Sequence, residues 1–204
     1  MNKKIIIFLL SIFCFFCSNI YADDWEEIKN VAQKIKSISA RFTQEKHMKI
    51  LVKPLISEGR FFFTAPKSLR WEYLSPVKSI LLMHNGKGKS YIQDKNGLAE
   101  DTRAKAQAMD IVLQMITSWL NGRFHDDPNF GAVLIKDKTD KIILTPKDKS
   151  LSAIISSIEL QISRAEGIIK SVKISESRDS YTLLLFKEVE HNKNIDEKLY
   201  RQAE

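Results

Sequence analysis

The sequence predicts a mainly β protein of the α+β class, a strongly curved antiparallel sheet with helices set against it. Three observations predict it. Short segments of alternating apolar and polar residues recur along most of the chain, separated by proline, glycine or asparagine. Two stretches, 24–38 and 104–121, instead carry apolar residues at helical spacing. No repeat, low-complexity tract or linker divides the chain, so one domain is expected.

The first 22 residues stand apart. Lys3 and Lys4 precede an apolar run from Ile5 to Cys17, and Asn19 to Ala22 lead into Asp23 and Asp24. This is the layout of a secretory signal peptide (1–22) cut after Ala22. An uncleaved anchor is the alternative, but the run is short against the ~20 residues a span needs. Lipid attachment at Cys14 or Cys17 would want a small residue before the cysteine, where Phe13 and Phe16 stand. With 1–22 removed, residues 23–204 form a single exported domain without cysteine, which excludes disulfide and thiol chemistry.

The whole chain carries a net charge of +7, and the mature part would carry +5. Charges of both signs are interspersed, so the basic block expected of a nucleic-acid binder is missing. A mildly basic exterior suits an anionic membrane surface or an acidic partner.

Taken in order, 24–38 place Trp25, Ile28, Val31, Ala32, Ile35 and Ile38 on one helical face. Acids come early and lysines late, as the helix dipole favours, with Asp23-Asp24 and Glu26-Glu27 capping the start. Strands follow at 39–50, 57–64, 68–74 and 78–84, punctuated by Pro54, Pro66, Pro76 and an Asn85-Gly86 hairpin turn. The second helix, 104–121, shows a broad face of Ala108, Ile111, Val112, Met115, Ile116, Trp119 and Leu120, stopped by Gly122. Strands resume at 130–137, 141–146, 157–163, 167–175 and 180–189, with a short helix or loop at 147–155.

Alternation sorts the strand residues into faces. Phe61, Phe63 and Ala65 share one side with Leu69, Trp71 and Tyr73, and with Ile158, Leu160 and Ile162. The other side is mixed, with apolar patches at Phe62, Leu184 and Phe186. Two accounts fit an apolar face of this kind. The helix at 104–121 fills it as ordinary core, or covers a hollow as a movable lid, for which Met109 and Met115 would make an adaptable wall. Periodicity does not separate a filled interior from an empty one.

Little visible chemistry competes. His47, His84, His125 and His191 show no metal-binding spacing, and His125-Asp126-Asp127 reads as a solvated turn. Gly86 to Ser90 mimics the end of a phosphate loop, but Met83 stands where its first glycine belongs. No Gly-x-Ser-x-Gly elbow is present. Arg70, Trp71 and Tyr73 could stack bases, yet export and the absence of a basic stripe argue against it. No enzyme, cofactor or metal site is expected.

Four blocks in sequence carry a family resemblance: SISARFTQ from Ser37, G-x-F-x-F-x-x-P-x-x-L-R-W-x-Y-x-x-P from Gly59, NGK at 85–87, and IILTPK from Ile142. Together they resemble the LolA-like periplasmic lipoprotein carriers. The resemblance implies an incomplete β-barrel, capped by helices over an apolar cavity that holds acyl chains. It implies a monomeric carrier taking acylated lipoproteins from an inner-membrane ABC transporter to an outer-membrane acceptor. Phe61, Phe63, Leu69 and Trp71 match the family's apolar wall, and Pro66 its strand-ending proline. The lipid-binding set expected here is Phe42, Phe61, Phe63, Leu69, Trp71, Tyr73, Ile80, Leu82, Ile111, Met115 and Trp119.

The chain also departs from the family. Ala65 replaces the usual arginine before the proline, and Gly88-Lys89-Ser90 replace aromatic residues after the turn, leaving Tyr91. Residues 49–59 diverge as well. Another acylated envelope molecule, such as a glycolipid, is therefore an alternative cargo. A lipoprotein-sensing regulator of the same fold is a further alternative, for which the ten residues after Asn194 would leave no second domain.

Overall fold

The computed structural model describes residues 20–85, 87–101 and 115–203, with side chains from Asp24 onward. Helix α1 spans Ile20–Ala32. The strands are β1 (Ser37–His47), β2 (Leu55–Thr64), β3 (Ser68–Ser75), β4 (Ser79–His84), β5 (Lys87–Asp94) and β6 (Gly97–Glu100). Beyond these lie β7 (Phe130–Ile135), β8 (Asp140–Pro146), the short helix α2 (Lys149–Ser152), β9 (Ser157–Ser163), β10 (Ile168–Ser177) and β11 (Ser180–His191). A 3₁₀ turn, Glu197–Tyr200, follows, and residues 115–120 are helical.

All eleven strands join one sheet in the order β6-β5-β4-β3-β2-β1-β11-β10-β9-β8-β7. Every pairing is antiparallel, and β6 and β7 remain as edges, so the sheet does not close. Hairpins explain most of this order; only β1 against β11 joins distant parts of the chain, through pairs such as Phe42 with Phe186. Register shifts at Ser39/Arg41, Glu58/Gly59, Ile169/Ser171 and Ser175/Ser177 mark bulges. Each adds local twist and bends the sheet around one face.

That face is the core. Phe63, Leu69, Phe130, Ile142, Leu144, Ile158 and Leu160 are fully buried on it. Helix α1 adds Ile28 and ends at Ala32, six residues short of the sequence expectation. Ile38 belongs to β1, where it pairs with Phe63 and His191. Ile35 and Ile38 fit a helical face by spacing alone; the β1 ladder claims the backbone from Ser37. Gly122 and Gly167, both at positive φ, abut the end of α1. A Cβ at Gly122 would meet the Lys29 Cα at 2.8 Å, and one at Gly167 the Val31 Cγ1 at 2.8 Å. Only glycine satisfies both the backbone and the approach.

The acids of α1 do something other than cap it. Asp24 accepts from Lys136 at 2.6 Å and from Arg164 at 3.3 Å, and Arg164 also reaches Glu27 at 3.1 Å and Asp140. The cluster ties α1 to the β7–β10 side of the sheet. The edge strand β6 and its neighbour β5 have no apolar alternation, which is why sequence patterning misses them.

Candidate lipid-binding hollow

Between the curved sheet and the helical residues 115–120 lies a hollow of about 210 Å³. Strands β1 to β3 contribute Ile38, Ala40, Phe61 and Trp71. Met115, Ile116, Trp119 and Leu120 form the cap. The far wall comes from Ile155 and β9 to β11, with Ile158, Ile168, Ile169, Val172, Ile174, Leu184, Phe186 and Val189. Every lining residue among the described residues is apolar, so none of them fixes a polar ligand or holds an ion.

Aromatic rings build one end. Trp71 lies 5.4 Å from Phe61 and 6.2 Å from Phe186, centroid to centroid, in edge-to-face arrangements. Phe42 backs them at 4.9 Å from Trp71. The Phe42 ring has room because its cross-strand partner is Gly59; a Cβ there would overlap the Phe42 Cζ. Tyr73 donates to Gln44 Oε1 at 2.7 Å, and burial pushes its phenol up from the ordinary range. Trp71 Nε1 is enclosed without a hydrogen-bond partner among the described residues.

Trp119 fastens the cap to buried neighbours. Trp119 Nε1 donates to the buried Asp127 at 3.3 Å, and its ring meets Phe130 at 6.1 Å. Asp127 also accepts from the Asn129 backbone at 2.9 Å. Asp127 is thus an internal acceptor rather than part of a solvated turn. Among the described residues no group of His, Cys, Asp or Glu stands together as metal ligands would.

Of the expected lipid-binding residues, Phe61, Trp71, Met115 and Trp119 line the hollow. Phe42, Phe63 and Leu69 are buried in the core behind it, and Tyr73 packs against that core partly exposed. Ile80 and Leu82 lie elsewhere. They pair with Glu72 and Arg70, so they face the opposite side of the sheet. Ile111 lies outside the described residues, as does Met109. Conversely, Leu184 and Phe186, expected on the outer face, point inward because they pair with Gln44 and Phe42. The run Leu183-Leu184-Leu185-Phe186 has no alternation, and its parity is set by β1. The β10 residues were also missed as a wall; their alternation is interrupted by the bulge at Ile169/Ser171.

Size decides what the hollow holds as it stands. A cavity of roughly 150 Å³ accepts one benzene-sized molecule. The present volume suits a short length of hydrocarbon, and a complete diacyl group needs the cap to move outward.

An open antiparallel half-barrel, bent around an apolar hollow and closed by a helical cap, is the class that fold and site define. The chain belongs to the family of the outer membrane lipoprotein carrier protein LolA, whose family model matches residues 33–202. It is 23% identical over 205 residues to an outer-membrane lipoprotein carrier protein of Nitrosomonas europaea, covering 98% of this chain and 94% of that protein. An uncharacterized conserved protein from Thermus thermophilus has a similar structure, with TM-score 0.53, 12% identity, and 88% and 93% of the two chains covered. A chain of the Pseudomonas aeruginosa MucA/MucB complex gives TM-score 0.52 at 14% identity, covering 89% of this chain and 60% of that one. These structural likenesses show a shared fold. No helix among the described residues is long and apolar enough to cross a membrane.

Proposed function

We propose that the protein is a periplasmic carrier that shelters the acyl chains of lipoproteins between the inner and outer membranes. In this reading residues 1–22 are a signal peptide and residues 23–204 the single working domain, a monomer. An inner-membrane ABC transporter loads it and an outer-membrane acceptor unloads it. The observation that carries the reading is the hollow whose lining, among the described residues, is apolar throughout.

Each buried methylene is worth about 0.8 kcal/mol, so an acyl anchor free in water costs on the order of tens of kcal/mol. A carrier must replace membrane contacts without demanding one chain length. Aromatic and aliphatic walls do this because they make no directional bonds. Phe61, Trp71, Met115 and Trp119 contact the chain; Phe42, Phe63, Leu69 and Tyr73 support them from behind. No bond is made or broken, and the protein is not an enzyme in this reading.

A second cargo, another acylated molecule such as a glycolipid, is favoured by one observation. Ala65 packs against the core through a methyl group, where the family's arginine would offer a polar latch. Native mass spectrometry of protein recovered from the cell envelope, with extraction of its lipids, tests both readings. A co-purifying diacyl or triacyl protein supports the first and an acylated sugar the second. Protein that holds no acylated molecule, even after loading in detergent, overturns the carrier reading.

A further inference from the structure

The tip of the β1–β2 hairpin leaves Ile50, Leu51 and Val52 in solvent, with Ile50 82% and Val52 101% exposed. Isolated exposed aliphatics are ordinary, but three in succession on one turn are a patch. The tip lies beyond the last ladder pair, Lys46 with Leu55. Full exposure of Val52 means that no part of the described chain covers it.

Basic residues surround the patch. Lys49 and Lys53 bracket it in sequence, and Arg178, on the neighbouring β10–β11 hairpin, borders the same recess. Among the described residues these three make no ion pair, and Asp179 is the one acid beside them in the recess. The two hairpins form one edge. The His47 ring stacks on Tyr181 at 4.3 Å with 14° between planes, and the Lys49 amide donates to Ser180 Oγ at 3.3 Å.

We propose that this tip docks the protein on an anionic lipid bilayer. The aliphatic side chains enter the interfacial zone while Lys49, Lys53 and Arg178 meet headgroup phosphates. Charge selects the occupant, since unpaired cations flank the apolar residues on both sides. Shape agrees: a stable protein partner needs about 800 Å² of matched surface per side, whereas a projecting point of three side chains suits a deformable medium. None of these residues lines the hollow, so docking is separate from cargo binding.

Processed protein recovered from the cell envelope is sedimented with phosphatidylcholine vesicles, with and without phosphatidylglycerol, at low and high salt. Binding is expected with phosphatidylglycerol and is weakened by salt. Ile50→Asp with Val52→Asp should lower it on the order of a hundredfold. Lys49→Gln with Lys53→Gln should lower it roughly fivefold per charge and flatten the salt dependence. Both variants should melt like the wild type and keep any acyl load, because the substituted side chains touch no core. Three results overturn the proposal: no vesicle binding by wild type, equal binding by the aspartate variant, or retention by a soluble envelope protein with no vesicle binding. Loss of acyl cargo with vesicle binding intact would instead count against the carrier reading alone.

Discussion

Arg70 and Glu72, two residues apart on β3 and respectively 3% and 1% exposed, are bonded Nε to Oε2 at 3.2 Å on the face of the sheet opposite Trp71. Arg60 adds a second bond to Glu72 at 3.0 Å. Arg70 also donates to the carbonyls of Leu199 at 3.1 Å and Gln202 at 2.7 Å, and Tyr200 bonds Thr64 at 2.7 Å. One buried ion pair therefore pins the C-terminal segment over the back of β3. Glu72→Ala leaves Arg70 buried without its charge partner, and a loss of about 3 kcal/mol is expected. Chemical denaturation measures it. Arg70→Met should instead free the C-terminal residues, seen as faster proteolytic trimming beyond Ile195.

The same pair sets an acid limit. Burial alone would raise the Glu72 carboxyl, but hydrogen bonds and charge from Arg70 and Arg60 outweigh it and hold it below the ordinary range. A group depressed in the folded state stabilises the fold above its unfolded pKa, near 4.3. That stabilisation is lost as pH falls through the folded value. Melting temperature should therefore drop as pH is lowered below about 4. Glu72→Gln should start lower and show a shallower acid slope.

Trp71→Glu should separate binding from folding. The side chain borders the hollow, so a carboxylate can turn toward the vacant space while the β2–β3–β4 ladder persists. A cooperative melt with loss of acyl-fluorophore binding is expected. Collapse of the melt would mean that the interior behaves as filled core.

Asp127 tests the cap. Asp127→Ala removes the acceptor of the Trp119 indole and leaves a buried donor unmet, a cost of about 1–3 kcal/mol that falls on the closed cap. Stopped-flow exchange of a bound acyl fluorophore should be faster by several-fold or more. Asp127→Asn keeps an acceptor and should change the rate little.

Gly59→Ala is expected to be costly despite its small size. The new Cβ would collide with both the Glu72 carbonyl oxygen and the Phe42 ring. Backbone and core ring cannot both give way, and overpacking of this kind costs about 1–3 kcal/mol, read by chemical denaturation. Phe42→Leu should not rescue it, because the carbonyl clash remains.

Much of the fold was legible because local patterns are strong where one face of a strand is buried. Phe61-x-Phe63 and Leu69-x-Trp71-x-Tyr73 announced both their strands and the side that turns inward, as did Ile158-x-Leu160-x-Ile162. Pro66 and Asn85 marked turns by their backbone limits. The blocks around them also carried the family. Edge strand β6 and its neighbour β5 stayed hidden because they bury too little to need a pattern.

What the chain alone determined is its strands, their inward residues where alternation holds, and its membership in the LolA family, since these follow from side-chain period and local order. Tertiary structure decided the rest. Pairing of β1 with β11 turned Leu184 and Phe186 inward, the β3–β4 register turned Ile80 and Leu82 away, and the balance of curvature against side-chain volume left a hollow beneath the cap. Those outcomes depend on contacts between residues more than a hundred positions apart, or on which neighbour a strand meets, and no local window of sequence contains them.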